Sequence, residues 1–209
     1  MIENLLSFSL ATIALALSPG PDNIYVLTTS LSRGMKSGLV TAAGFVAGCI
    51  VHTTLLAFGI SAIITASAGL FYAIKALGAL YLIYLAYKVF RSDANIEFDP
   101  AATEPDKNHK SNTQFFKIAV FMNLVNPKVM IFFLAFFPGF LWDVDGNTVE
   151  QFYILGLLFM AVSMLIFGGI AILAGSISGY LKSNKGVGVV LKWLQIVVFL
   201  GIAIYILIP

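Results

Sequence analysis

Ser18-Pro19-Gly20-Pro21-Asp22-Asn23 interrupts an apolar run at residues 5–31, and Asn126-Pro127-Lys128 interrupts a second apolar run at residues 115–141. Proline lacks a backbone N–H and clashes with the preceding turn, so each run is expected to form a helix that breaks at the proline. A broken helix in lipid needs protein or a water-filled cavity beside its unsatisfied backbone groups. The two interruptions therefore predict a polar site inside a membrane.

The composition is that of a membrane protein. Of the 209 residues, 59% are hydrophobic and only 11% are charged, and the mean hydropathy is +0.95. A helix needs about 20 apolar residues to cross the hydrocarbon core. Runs near or above this length predict an all-α membrane protein with six transmembrane helices, at about 5–31, 38–66, 70–90, 115–141, 151–181 and 193–208.

Lysine and arginine collect in alternate connections between these spans. Ten of the twelve basic residues lie in the first, third and fifth connections, and the other two, Lys75 and Lys128, fall within spans. Because cytoplasmic loops are enriched in Lys and Arg, these three connections are predicted to be inside and both termini outside. The expected location is a bilayer that the chain crosses several times.

The six spans form two triplets of similar rhythm. In each triplet, a proline-interrupted span is followed by a long span and then a shorter one. Because each triplet has an odd number of spans, the second triplet enters the membrane from the opposite face. This is the pattern of an inverted repeat, in which interrupted helices at matching positions mark a binding site near the midplane. The predicted organisation is a first repeat at 1–91, a polar cytoplasmic tether at 92–114 and a second repeat at 115–209.

Asp22 is the first candidate for chemistry, because an acid near the middle of a membrane span is costly and usually functional. It is suited to exchanging a proton or to holding a substrate ammonium group, and the neighbouring Asn23 can donate and accept in either role. The structural alternative is a helix cap, in which Asp22 accepts from free N–H groups after the break. The residue types alone leave both readings open.

Lys128 lies near the middle of the fourth span and is the basic counterpart of Asp22. It is suited to binding a substrate carboxylate, or to forming a purely structural ion pair with Asp22. The N-termini of broken helices carry a partial positive charge that also favours a carboxylate. Asn123 and Asn126 add polar groups beside this break.

Enzyme chemistry finds little support in the residue pattern. There is no His-Glu-x-x-His pair and no phosphate-cradling glycine loop, and the chain has one cysteine and two histidines. No metal, cofactor or nucleic-acid partner is therefore expected. The expected partners are the lipid bilayer and a small-molecule substrate, and a bundle of six spans is thin enough for a homodimer to be plausible.

The sequences at the two interruptions also resemble the signature motifs of a known protein family. The stretch Ser18-Pro19-Gly20-Pro21-Asp22-Asn23, followed by Ser32-Arg33-Gly34, resembles the opening signature of the lysine-exporter (LysE/RhtB) family. Asn123-Leu124-Val125-Asn126-Pro127-Lys128, followed by Phe132-Phe133-Leu134, is similar to that family's second signature. The motif positions are Pro19, Gly20, Pro21, Asn126, Pro127 and Lys128.

The resemblance extends over nearly the whole chain, and it implies a small bacterial inner-membrane exporter of amino acids or derivatives, driven by the proton gradient. It does not indicate which amino acid. Together with the residue pattern, it predicts a proton-coupled exporter of a small zwitterion that works by alternating access. Two other readings remain: a channel lined by the same breaks, and a membrane scaffold or sensor that transports nothing.

Overall fold

The computed structural model describes residues 1–18, 20–92, 111–143, 146–183 and 186–207. All regular structure in these ranges is helical, as predicted, and comprises nine α-helices and one 3-10 turn. The elements are α1 (Ile2–Leu17), α2 (Pro21–Arg33), α3 (Met35–Ala66), α4 (Ala68–Arg91), α5 (Asn112–Leu124), α6 (Pro127–Phe136), the 3-10 turn (Phe137–Phe140), α7 (Thr148–Ile172), α8 (Ala174–Ser183) and α9 (Gly186–Leu207).

Four single helices, α3, α4, α7 and α9, are long and apolar enough to cross a membrane. Two further pairs satisfy the same criteria only together: α1 with α2, bent by 60°, and α5 with α6 and the 3-10 turn, bent by 54°. The described residues therefore provide four to six spans. The predicted number of six is the upper end of this range.

Both helix breaks fall where the prolines predicted them. The first separates Leu17 from Pro21, and the second separates Leu124 from Pro127. Each following half-helix begins with its proline, a position at which the missing N–H would have no partner in the helix anyway. Pro19 lies outside the described residues, as does most of the predicted tether, at 93–110.

Two helix boundaries differ from the predicted spans. Helix α5 begins at Asn112 rather than at 115, because Ser111 and Gln114 form a capping box that stabilises an earlier start. Helix α7 ends at Ile172 rather than at 181, and α8 follows it as a separate helix. The 25 residues of α7 are about 37 Å long at about 1.5 Å per residue, which already exceeds the hydrocarbon core.

The main helix contacts join one predicted repeat to the other. Helix α3 packs against α5 and α7, α4 packs against α9 and α6, and α1 packs against α7. The second helices of the two triplets thus contact each other, and so do the third helices. This pairing places the two broken spans side by side within the bundle.

Close packing of α3 against α5 depends on Gly44 and Gly48. A Cβ atom added at Gly44 would lie 2.5 Å from the carbonyl O of Phe116, and one at Gly48 would lie 2.8 Å from Cβ of Asn123. Small residues spaced four apart allow helix backbones to approach closely in lipid. The glycines therefore hold the second broken span against α3.

Gly48→Ala is expected to destabilise the protein, because the added Cβ overlaps the base of the Asn123 side chain. Overpacking of this kind costs about 1–3 kcal/mol. The matched control is Gly59→Ala in the same helix, where no neighbour lies within 4 Å of the added Cβ. Thermal unfolding in detergent should show a lower Tm for Gly48→Ala only, and an equal change in both variants would contradict this packing argument.

An aromatic cluster fills the space between α1, α6, the 3-10 turn and α7. Ring centroids lie 4.9 Å apart for Phe8 and Phe137, 4.2 Å for Phe133 and Phe137, and 4.4 Å for Phe132 and Phe136. Phe159 of α7 packs against Phe133 at 5.0 Å. Phe8 of α1 thus packs against the last residue of α6, Phe136, at 5.8 Å between ring centroids, and against the 3-10 turn that follows it.

Candidate functional site

At the first break, Asn23 supports the end of the preceding helix. Its Nδ2 atom donates to the carbonyl O of Ala16 at 2.7 Å, which satisfies one of the carbonyls that a helix C-terminus leaves unpaired. Its Oδ1 atom is buried and has no hydrogen-bond partner among the described residues. Asn23 thus has a structural contact on one side and a free acceptor on the other.

Asp22 is buried in the first turn of α2, with 9% of its surface exposed. Its Oδ1 atom has no hydrogen-bond partner within the described part of the chain. This oxygen is therefore not used as a helix cap.

At the second break, the two asparagines have different contacts. Asn126 caps α6, because its Oδ1 accepts from the backbone N–H of Lys128 at 3.0 Å. Asn123 is buried against α3, with its carbonyl O 3.3 Å from Nε2 of His52 and its Nδ2 3.7 Å from Sγ of Cys49. These contacts anchor the end of α5.

Lys128 reaches from the second break to the first. Its Nζ atom donates to the carbonyl O of Ser18 at 3.4 Å and lies 5.5 Å from the ring centroid of Phe199 in α9. The carbonyl that receives this bond is one that the end of α1 leaves free. The lysine thereby links the two breaks directly.

Gly20 lies where the acid and the base come together. A Cβ added there would overlap Oδ1 of Asp22 and would lie 3.4 Å from Nζ of Lys128. Nζ of Lys128 donates a hydrogen bond to Ser18, and Oδ1 of Asp22 has no hydrogen-bond partner among the described residues. The two charged groups therefore lie on either side of Gly20 without a hydrogen bond between them. The structure therefore brings the predicted acid and base together but does not pair them.

A cavity of about 230 Å³ lies at the junction of the two breaks. The residues that line it are Pro21, Asp22, Phe45, Met122, Val125, Asn126 and Pro127. Both half-helices, α2 and α6, begin at its wall, so two helix N-termini contribute partial positive charge there. Of the predicted site residues, Asn23, Asn123 and Lys128 are beside the breaks but do not line the cavity.

Three features of the candidate site were not predicted from the sequence. The Ser18 carbonyl that accepts a hydrogen bond from Lys128 is a backbone group, so the residue type at position 18 does not indicate it. Phe45 and Met122 line the cavity, but they are apolar residues in apolar helices and carry no distinguishing signal. Among the described residues, no group of three or more His, Cys, Asp or Glu side chains is placed to hold a metal ion.

A bundle of apolar helices with a small cavity at two helix breaks, lined by one acid and one amide among apolar residues, is typical of a class, the multi-pass membrane transport proteins. Comparison with known families names the particular group. The family described as "LysE type translocator" matches residues 13–209, and the chain belongs to this family. The resemblance predicted from the two proline motifs is confirmed.

Curated relatives agree with this assignment. The chain is 32% identical over 179 residues to a protein of Salmonella typhimurium named homoserine/homoserine lactone efflux protein, covering 86% of this chain and 84% of the relative. The identically named protein of Salmonella typhi is equally similar. An uncharacterized membrane protein of Vibrio cholerae is 29% identical over 178 residues, with 85% and 84% coverage. No solved structure matches the chain.

Proposed function

We propose that this translocator exports amino acids or related small zwitterions, in exchange for protons and by alternating access. The observation that carries the proposal is the cavity between the two breaks. It is lined by Asp22, whose buried Oδ1 has no hydrogen-bond partner among the described residues, and by the prolines that begin α2 and α6. A zwitterion has an ammonium group that suits Asp22 and a carboxylate that suits the helix N-termini. The homoserine efflux proteins among the relatives support an amino acid as the exported molecule.

In this proposal the substrate ammonium binds Asp22, and its carboxylate binds the N-termini of α2 and α6 with help from Asn126. Asn23 supports the Asp22 side of the site, and Asn123 holds the end of α5 in position. Lys128 supplies a positive charge beside Gly20. A buried charge is strongly unfavourable unless it is paired, so both ends of a zwitterion need partners of this kind.

Proton coupling follows if the substrate ammonium and a proton compete for the same carboxylate. When the substrate leaves Asp22 on the outside, a proton takes its place and returns with the empty carrier. Each state then has a neutralised acid in the membrane interior. Competition for one carboxylate thus exchanges substrate for a proton, and no separate proton-binding site is needed.

Alternating access is supported by the different packing of the two sides of the breaks. The halves α1 and α6 meet in the aromatic cluster, whereas the halves α2 and α5 border the cavity. In the orientation that the loop charges predict, with both termini outside, the aromatic cluster closes the outer side. The repeats at 1–91 and 115–209, joined by the tether at 92–114, would rock against each other.

The test is efflux of labelled homoserine from proteoliposomes that contain the purified protein. A proton-coupled exporter should show saturating efflux that an imposed pH gradient accelerates and that unlabelled homoserine on the opposite side stimulates. A channel would give flux that rises linearly with concentration and shows no such stimulation. Absence of flux for every amino acid offered would support the scaffold reading instead.

A further inference from the structure

Within the described part of the chain, the cavity at the two breaks has only two polar residues in its lining, Asp22 and Asn126, and both lie where the half-helices begin. Pro21, Val125 and Pro127 also line it at the breaks, whereas Phe45 of α3 and Met122 of α5 line it from outside the breaks. A zwitterion bound by its two charged groups at the breaks would direct its side chain toward Phe45 and Met122. These two residues therefore face the part of an amino acid that differs from one substrate to another.

Phe45 is held rigidly in this position. It is 1% exposed, and its ring centroid lies 6.2 Å from that of Tyr25 and 6.0 Å from that of Phe167, on helices α2 and α7. Phe45 and Phe167 belong to a buried apolar cluster that is separate from the aromatic cluster, and Met122 of α5 packs against it. Because the aromatic ring is fixed from two sides, the space it leaves does not expand readily to accept a larger side chain.

The charge of the cavity lining adds a second restriction on the substrate side chain. Among the described residues that line it, Asp22 alone is charged. If Asp22 binds the α-ammonium group, a second ammonium on a substrate side chain would meet only the apolar residues Phe45 and Met122. An unpaired charge at that position is strongly disfavoured.

We propose that Phe45 and Met122 determine the specificity of this carrier and restrict it to amino acids with short, uncharged side chains. The inference rests on the proposed function, because it assumes that an amino acid binds in this cavity. It predicts a size limit set by the distance from the breaks to Phe45 and Met122. It also predicts that lysine is excluded by the absence of a second acid.

The experiment uses proteoliposomes loaded with an equimolar mixture of alanine, homoserine, leucine, phenylalanine and lysine, and it measures the efflux of each by mass spectrometry. The wild type should export alanine and homoserine at least about tenfold faster than the other three, the discrimination expected for a methylene or more in an apolar pocket. Met122→Ala and Phe45→Leu should each raise leucine efflux about tenfold relative to homoserine. Lysine should stay excluded in both variants.

Met164→Ala is the matched control, because Met164 of α7 packs against the same cluster but does not line the cavity. It should leave the substrate profile unchanged. The specificity proposal is overturned if the wild type exports leucine or lysine as fast as homoserine, if neither cavity variant alters the profile, or if Met164→Ala alters it equally. Failure of the wild type to export any of the five amino acids would instead refute the proposed function itself.

Discussion

Asp22→Asn is expected to reduce homoserine export by at least about 30-fold at unchanged protein levels. The variant keeps the size of the side chain but loses the charge that, in the proposed mechanism, binds the ammonium group and exchanges with a proton. Removing one partner of a buried charged hydrogen bond costs about 2–5 kcal/mol, and about 1.4 kcal/mol corresponds to a factor of ten. Initial rates of efflux from proteoliposomes measure the effect.

Glu3→Gln is the control for Asp22→Asn. It also removes one acid from the first broken span, but Glu3 is exposed in the first turn of α1, away from the break. Its export should equal that of the wild type. Wild-type export by Asp22→Asn, with normal expression, would show that the unpartnered carboxylate has no part in transport.

Lys128→Met is expected to reduce export by a similar factor, because it removes the cation beside Gly20 and leaves the Ser18 carbonyl without this hydrogen bond. The Asp22 carboxylate would also lose its nearest compensating charge. Lys75→Met is the matched control, since Lys75 also lies within a candidate membrane span but is far from the breaks in sequence. Its Nζ atom lies 5.9 Å from the ring centroid of Phe71 and 5.8 Å from that of Tyr72. Its export should remain near that of the wild type.

The double variant Asp22→Asn with Lys128→Met separates a substrate site from a structural ion pair. If Asp22 and Lys128 only neutralise each other, removing both leaves no uncompensated charge, and export should recover. If they serve the substrate and the proton, the double variant should be as inactive as either single variant. Recovery of export would therefore contradict the roles proposed for both residues.

The local consequences of proline were predictable from the sequence, whereas the partners across the site were not. Pro21 and Pro127 determine where a half-helix begins through steric effects on neighbouring residues alone, so both breaks were located correctly. The convergence of Asp22 and Lys128 followed from the matching positions of the two breaks. Their separate contacts could not be read from the chain, because Lys128 binds a backbone carbonyl that any residue at position 18 would offer.

The other differences between the predicted and the observed structure also have physical reasons. Helix α7 ends at Ile172 instead of at 181, and the helix that follows, α8, is less apolar than α7 because it contains Gly175, Ser176, Ser178 and Gly179. The predicted span passed over this cluster of glycine and serine, which is a sequence signal for a helix boundary. Phe45 and Met122 resemble many other apolar residues in their helices, and their place at the cavity depends on how α3 and α5 pack. Gly44 and Gly48 are separated by about one helical turn, a spacing typical of close helix contacts in lipid, but the spacing does not identify α5 as the partner.

Equilibrium binding of labelled homoserine to purified protein tests most directly whether the cavity between the breaks is the substrate site. Wild type and Glu3→Gln should bind with the same affinity. Asp22→Asn should bind at least about tenfold more weakly, because a hydrogen bond to a charged group contributes about 1.5–3 kcal/mol. Equal affinity of Asp22→Asn and wild type would contradict the assignment of this cavity as the site.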